Sequence, residues 1–130
     1  REGVDDEVLN VAAAACKAQA MFYEAFNRRD SAAMQSLWGG SEDDMTVECT
    51  HPAKMRLRGR EAILLSWDLI FKDPRIPRLA AVNQSVLAAT RSGAVLSCVE
   101  KVDDFQSGPA TNTFAVGKNG KLYMVAHQAR

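Results

Sequence analysis

The stretch Thr50-His-Pro-Ala-Lys-Met-Arg-Leu-Arg-Gly-Arg-Glu-Ala-Ile-Leu-Leu-Ser-Trp-Asp-Leu-Ile-Phe71 decides how this chain folds. It contains the end of a strand at His51-Pro52, a basic connector, and an amphipathic helix from Arg60 to about Lys72. Four apolar residues recur at three- and four-residue spacing and therefore share one helical face: Ile63, Trp67, Ile70 and Phe71. That face needs an apolar partner. The alternating segments that follow it predict that the partner is a curved sheet.

Two more helices are predicted before this stretch. Asp5 or Asp6 is a suitable N-cap for a long first helix, and Asp30 or Ser31 is suitable for a short second one that ends at Gly39-Gly40. The buried face of the first helix is predicted from apolar and amide residues at helical spacing: Val8, Ala12, Ala15, Gln19, Phe22 and Phe26.

Period-two alternation predicts the strands of the sheet. They are expected at Met45–Thr50, Leu79–Thr90, Ala94–Val102, Asn112–Val116 and Lys121–Gln128. Gln106–Pro109 is expected to be a loop, and Asn119-Gly120 to supply the positive φ values of a tight hairpin. The fold class is therefore α+β, with a cone-shaped, curved antiparallel sheet packed on three helices.

Composition limits the classes of function. The 130 residues predict one domain, residues 1–130, and 16 basic against 16 acidic residues give no general attraction to nucleic acid or membrane. No apolar run is long enough to span a bilayer. A basic cluster could meet an anionic partner, although a solvated surface explains it as well: Lys54, Arg56, Arg58 and Arg60. Nucleic-acid binding is not expected, because no aromatic residues interleave with these charges.

The cysteines indicate the compartment. Cys16, Cys49 and Cys98 are an odd number inside apolar segments, which is typical of reduced core thiols in an intracellular protein of the cytoplasm or an organelle interior. The chain begins at Arg1, so a targeting segment could have been removed. Cys49 could be a nucleophile if a histidine lowered its pKa, but a buried strand cysteine is usually inert.

Several motifs in order resemble one known family. They are Phe22-Tyr-Glu-Ala-Phe-Asn-Arg-Arg-Asp30, Leu37-Trp38, Thr46-Val-Glu48 before His51-Pro52, Leu57-Arg-Gly-Arg60, Ser66-Trp67 and Thr111-Asn-Thr-Phe114. Together they resemble the SnoaL-like branch of the nuclear transport factor 2-like, or cystatin-like, superfamily. The resemblance implies a cone whose mouth is lined by the first helix, the early strand and the last strands. It also implies dimerisation through the sheet.

The superfamily contains enzymes, such as ketosteroid isomerase, scytalone dehydratase and polyketide cyclases, and non-enzymatic binding proteins. The resemblance to ketosteroid isomerase places Phe22 at the oxyanion tyrosine, with Tyr23 one position away. It places Cys49 at the base aspartate, and the second aspartate falls near Pro109. It therefore implies that the acid–base residues of that enzyme are not retained.

Other residues remain as site candidates. His51 and His127 could act as an acid–base pair at the cone mouth with Tyr23, although both histidines could be structural. The ligand-binding candidates are Tyr23, Trp38, Cys49, His51, Trp67, Asn112, Tyr123 and His127. No metal or cofactor is expected, since these residues show no local ligand spacing.

Two hypotheses follow. The favoured one is a non-catalytic binding or assembly module, a homodimer or a subunit of a larger assembly, that binds a protein or a small hydrophobic ligand. The other is an isomerase, dehydratase or cyclase that uses His51 and His127 with Tyr23. A cone filled by side chains would exclude the enzyme, whereas a roomy cavity that both histidines reach would favour chemistry or ligand capture.

Overall fold

A computed structural model describes residues 5–40, 46–52, 56–102 and 106–130. Its helices are α1 (Asp6–Arg28), α2 (Ser31–Leu37) and α3 (Arg60–Lys72). Its strands are β1 (Glu48–Thr50), β2 (Arg56–Arg58), β3 (Leu79–Thr90), β4 (Gly93–Val102), β5 (Gln106–Val116) and β6 (Leu122–Ala129). The predicted α+β fold is confirmed as three helices on a curved, open sheet.

The six strands lie in the order β2-β1-β6-β5-β4-β3, and every neighbouring pair is antiparallel except β1 and β6. The parallel pair places Cys49 opposite His127, so the early strand and the last strand meet. The prediction of a basic connector was wrong in part, because strand β2 lies within that segment. Strand β2 pairs antiparallel with β1, and Arg58 lies opposite Glu48 and approaches it to 3.4 Å.

Helix α1 presents its buried face to the sheet. Asp5 is the N-cap, as predicted, and its side chain accepts from the Glu7 backbone N–H at 2.7 Å. The buried residues include Gln19, Phe22 and Tyr23. Phe22 and Tyr23 are consecutive and both buried, so the buried face of α1 is wide. It places the ring of Phe22 and the hydroxyl group of Tyr23 in neighbouring parts of the interior.

The two shorter helices pack beside it. Asp30 caps α2 by accepting from the Ala33 backbone N–H at 3.0 Å. The helix ends at Leu37, slightly before the predicted stop, and Gly39 instead donates to the carbonyl of Met124 at 2.9 Å. Helix α3 has the predicted limits, with Ile63 and Trp67 buried and the rest of its apolar face half-buried.

The strands differ from prediction at several places. Strand β1 begins at Glu48, so Thr46 and Val47 of the predicted strand Met45–Thr50 precede it. Strand β3 has the predicted limits but contains a bulge, where Asn83 has φ 55°. The predicted loop Gln106–Pro109 is the first part of β5, since Pro109 pairs opposite Val99. In the last hairpin only Gly120 has a positive φ. Met45, predicted to begin a strand, and Lys54 of the basic cluster lie outside the described residues.

The connector after α3, residues 73–78, is held by the C-terminal end of α1. Arg29 is left-handed, with φ 53°, and its guanidinium donates to the carbonyls of Phe71, Asp73 and Ile76 at 2.9, 2.8 and 2.8 Å. The Asn27 side chain bonds both backbone groups of Leu79 at 2.8 Å. The helix end thus fixes where α3 stops and β3 begins.

Among the helices of the described residues, none combines the length and the apolar character that crossing a membrane would require. The described residues of the basic cluster have partners within the fold. Arg56 and Arg58 face Glu48, and Arg60 donates to the carbonyls of Gln35 and Trp38 at 2.7 and 3.4 Å.

Candidate functional site

A cavity of about 550 Å³ opens between α1, α3 and the concave side of the sheet. Its walls are mainly apolar and include Phe22, Phe26, Trp67, Ile70, Leu79 and Val102. The volume lies within the usual range for sites that hold small molecules. The cone is therefore open rather than filled by its own side chains.

The cavity floor, defined here as Tyr23, Cys98, Glu100, Asn112 and His127, is a buried polar cluster. The Tyr23 hydroxyl donates to Glu100 Oε2 at 2.7 Å and lies 3.3 Å from Cys98 Sγ. His127 Nε2 lies 3.8 Å from the same Glu100 oxygen. Glu100 and His127 border the cavity. Tyr23 does not border it but donates its hydrogen bond to Glu100, which does.

Glu100 was missed as a site residue in the sequence. The signal was present, because β4 buries every second residue and Leu96, Cys98 and Glu100 fall on the buried face. A carboxyl group in that register is only 7 % exposed and is expensive to bury without hydrogen-bond partners. A buried carboxyl beside a cavity is a candidate for chemistry.

Burial shifts the pKa values of the floor in opposite directions. Desolvation raises the pKa of Glu100, although the hydrogen bond from Tyr23 opposes that rise. Desolvation, with a smaller contribution from His51, lowers the pKa of His127 to about 3. Desolvation and the nearby Glu100 raise the pKa of Tyr23. At neutral pH the imidazole of His127 is therefore neutral, and a proton that enters the floor resides on Glu100.

A chain of amides supports His127 from behind. His127 Nδ1 lies 2.6 Å from Asn112 Oδ1. The Asn112 amide donates to Gln19 Oε1 at 2.8 Å and to the Tyr23 hydroxyl at 3.3 Å. The Gln19 amide donates in turn to Gln84 Oε1 at 2.9 Å. Gln19 and Asn112 are completely buried, and Gln84 is exposed.

The cavity rim, defined here as His51, Ser66, Leu69 and residues 73–78, is more exposed. His51 Nε2 lies 3.1 Å from Ser66 Oγ, whose own hydroxyl donates to the Ile63 carbonyl at 2.7 Å. Ser66 therefore accepts from His51. Desolvation lowers the pKa of His51, which is also neutral at neutral pH. Its ring packs edge-on against Trp67, with 4.7 Å between the centroids.

The structure brings some of the predicted site residues together and not others. His51, Trp67 and His127 border the cavity, and Tyr23 and Asn112 belong to its floor without bordering the cavity themselves. Trp38 is a fully buried core residue away from the cavity wall. Tyr123 lies at the β5–β6 hairpin, where its hydroxyl accepts from Asn119 at 2.9 Å.

The thiols are free, with Cys49 and Cys98 buried and Cys16 half-buried. Cys49 Sγ lies 3.7 Å from His51 Nε2. Burial nevertheless raises the pKa of Cys49 to about 12, so the thiol stays protonated and is a poor nucleophile. Within the described parts of the chain, His, Cys, Asp and Glu side chains form no group of three or more that could hold a metal ion.

Comparison with protein families gives one match. The model of the SnoaL-like domain family matches residues 17–128. No curated protein matches the sequence.

Solved structures support the same family. A proposed dehydratase of the NTF2-like family from Streptomyces avermitilis is 26 % identical, with a TM-score of 0.79 over 94 % of this chain and 96 % of that one. A proposed calcium/calmodulin-dependent protein kinase type II association domain from Thiobacillus denitrificans is 28 % identical, with a TM-score of 0.67 over 86 % and 90 % of the two chains. A cystatin-like fold protein from Burkholderia xenovorans shares the fold at 18 % identity, with a TM-score of 0.74 over 92 % and 90 %.

Proposed function

We propose that this chain, which belongs to the SnoaL-like domain family, is an enzyme that moves a proton within a neutral, largely apolar small molecule. The class is isomerase, dehydratase or cyclase. One observation carries the proposal: Glu100 is buried between Tyr23 and His127 at the floor of an open apolar cavity. Of the two functions that the sequence left open, this geometry favours the enzyme.

Glu100 is the proton-transferring group of the proposal. A carboxyl group whose pKa is raised by burial is a stronger base than an exposed one once it is ionised. Its carboxylate removes a proton from a carbon beside a carbonyl group, which breaks the C–H bond and leaves its electron pair in an enolate. Glu100 then returns that proton to another carbon, in an isomerase, or to a departing hydroxyl that leaves as water, in a dehydratase.

Tyr23 and His127 support this step in different ways. Tyr23 keeps its proton because its pKa is raised, so it can donate to the Glu100 carboxylate throughout the reaction. His127, with a pKa of about 3, is too weak a base to take the proton at neutral pH. It is therefore a polar contact for the substrate rather than the base.

The apolar wall and the relatives support the same class of substrate. Apart from Glu100 and the histidines, Arg130 and Ser66 are the polar residues among those described that border the cavity. A negative group at the floor would be repelled by the Glu100 carboxylate, and a group of either charge would lose its hydration among the apolar walls, so a neutral molecule fits best. The similar protein from Streptomyces avermitilis is a proposed dehydratase, which is one of the reactions this floor could perform.

The proposal is tested by measuring how fast a carbon-bound proton exchanges with solvent. We expect the wild type to accelerate deuterium exchange from D2O into 2-tetralone, a fused bicyclic ketone with acidic protons, as measured by proton NMR. Glu100→Gln keeps the shape of the side chain but cannot accept the proton. It should slow the exchange by about 100-fold or more.

Two controls make the result decisive. Glu24→Gln removes an exposed carboxylate of α1, which pairs only with Arg28 among the described contacts, and should leave the rate unchanged. Quenching of tryptophan fluorescence by 2-naphthol reports occupancy of the cavity in every variant. If 2-tetralone binds, as measured by its competition with 2-naphthol, but the wild type exchanges it no faster than buffer, the enzyme proposal fails and a ligand-binding module remains.

The dimer expected from the sequence remains a proposal, and one surface supports it. Strand β3 lies at the edge of the sheet and exposes Leu87 at 59 %. One similar structure is a proposed association domain. Sedimentation equilibrium should show a dimer that Leu87→Lys weakens. The equally exposed Leu65 of α3 provides the matched control, and a wild-type monomer at all concentrations would refute the proposal.

A further inference from the structure

We propose that Asn112, Gln19 and Gln84 act as positioning residues that fix the proton of His127 on Nδ1, so that the cavity floor selects ligands carrying a hydroxyl or N–H donor. This inference concerns recognition and does not require that the protein catalyse a reaction. It rests on the direction of each hydrogen bond behind His127, on the burial of Asn112 and Gln19 and on the bulge in β3.

The direction begins at Tyr23. Its hydroxyl donates to Glu100 Oε2, so its oxygen is left to accept from the Asn112 amide. The same NH2 group donates to Gln19. The amide nitrogen of Asn112 therefore faces α1, and its carbonyl oxygen faces His127. That oxygen can only accept, so the group that meets it at 2.6 Å must be Nδ1–H.

The far end of the relay continues in the same direction. Gln19 accepts from Asn112 through its oxygen, which leaves its NH2 group to donate to Gln84 Oε1. Gln84 follows Asn83, the left-handed residue of the β3 bulge, and the bulge interrupts the pairing of β3 with β4 between Val82 and Ser85. An otherwise exposed strand residue thereby reaches a fully buried amide. Bulges commonly redirect a side chain in this way.

The consequence appears on the other side of the ring. Neutral imidazole carries one proton, so Nε2 of His127 holds a lone pair, and this nitrogen is on the Glu100 side at the cavity floor. It can accept a hydrogen bond but cannot donate one. A ligand with a hydroxyl group gains that bond, whereas a ligand that only accepts does not.

His51 provides an internal comparison. Its Nε2 is the nitrogen that donates to Ser66, because the Ser66 hydroxyl proton is used on the Ile63 carbonyl. The two histidines of the chain should therefore have opposite tautomers. One nitrogen-15 NMR spectrum of the imidazoles of the unmodified protein at neutral pH tests this, with His51→Gln used to assign the signals. Protonated Nε2 on His127 would overturn the proposal.

Variants test the relay. Asn112→Leu removes the acceptor and should let His127 take up the Nε2–H form, whereas Asn112→Asp keeps an oxygen for Nδ1–H and should retain the tautomer. Gln84→Ala at the exposed end is the alternative if these buried variants do not fold, and it should raise the Nε2–H fraction of His127. Gln84→Glu keeps the acceptor and should leave His127 in its Nδ1–H form. Ser85→Glu controls for added charge. An unchanged tautomer in both Asn112→Leu and Gln84→Ala would remove the relay from the mechanism.

Ligand selectivity gives the functional readout. 2-Naphthol and 2-methoxynaphthalene differ by the single donor, and we expect the wild type to prefer 2-naphthol by about tenfold. The preference should be smaller in Gln84→Ala and as large as in the wild type in Gln84→Glu. Neither variant should change the volume of the cavity. Equal affinity for both probes in the wild type would overturn the selectivity. Failure of deuterium exchange in 2-tetralone that is shown to bind would leave this inference intact and refute only the enzyme.

Discussion

The floor and the rim of the cavity each hold one histidine, and the two environments differ. His127 is 2 % exposed and belongs to a polar cluster that joins α1, β4, β5 and β6. His51 is half-buried and has Ser66, on the single helix α3, as its partner. The floor is built by distant parts of the chain and is almost completely buried. The rim is more exposed.

Trp67 belongs to both regions, so its removal should have the largest effect. Its ring packs against Phe22, Phe26, Phe71 and both histidines. Trp67→Ala should lower the free energy of unfolding by about 3–5 kcal/mol, since it leaves a large void between floor and rim. Urea denaturation followed by circular dichroism measures this loss.

The matched variant is Trp67→Phe. The indole Nε1 is buried and has no hydrogen-bond partner among the described residues. Trp67→Phe therefore loses no hydrogen bond and removes an unpaired buried donor. We expect Trp67→Phe to cost clearly less than Trp67→Ala. If both variants cost under about 1 kcal/mol, Trp67 does not couple the two regions.

The second prediction concerns pH. The pKa of His127 is about 3 in the folded protein and about 6.5 when unfolded, so the unfolded state binds the extra proton between these values. This contribution to stability is present above pH 6.5 and is lost as pH falls toward 3. The slope is at most about 1.4 kcal/mol per pH unit. His127→Gln should remove that slope from urea denaturation curves collected across this range.

His51→Gln is the comparison at the rim. Its pKa is lowered in the same direction, but the ring is half-buried, so the acid slope should change less. Glu100 works against His127, because a raised folded pKa gives stability that is present at low pH and lost as pH rises through that pKa. Equal effects of the two histidine variants would contradict the distinction between floor and rim.

Much of the fold could be predicted because it follows local rules. The limits of α3 and β3 and the capping residue Asp5 come from periodicity and short-range chemistry. Strand β2 and the first part of β5 could not be found in this way. Their pairing partners, Glu48 and Val99, lie elsewhere along the chain, and tertiary pairing overrides the local signals of Gly and Pro.

The site was less predictable for the same reason. The sequence indicated His51, His127 and Tyr23, since these residue types stand out by themselves. Glu100 looked like one charged residue among many, and its importance depends on burial, which the alternation of β4 could have revealed. Gln84 could not have been found, because only the bulge at Asn83 turns this exposed strand residue toward Gln19.

The third prediction tests whether the rim is held from α1. Arg29→Ala removes two hydrogen bonds to the backbone of the connector and one to the end of α3, and because the side chain is exposed the cost should be about 1–2 kcal/mol. Hydrogen exchange should increase at residues 73–79. Arg28→Ala removes the same charge one position earlier. The Arg28 side chain meets only Glu24 among the described contacts, so this variant should leave that exchange unchanged.

The smallest effect is expected at the exposed side chains of the β1–β2 hairpin. Arg58→Ala removes the 3.4 Å ion pair with Glu48, whose side chains are 54 % and 26 % exposed, so the loss should be under about 1 kcal/mol and decrease with added salt. Binding of 2-naphthol should not change. A larger loss, or a change in binding, would mean that the basic hairpin shapes the cavity, and the rim would then extend beyond α3 and its connector. Thermal unfolding at low and high salt separates these outcomes, because screening weakens an exposed ion pair but leaves apolar packing against the cavity in place.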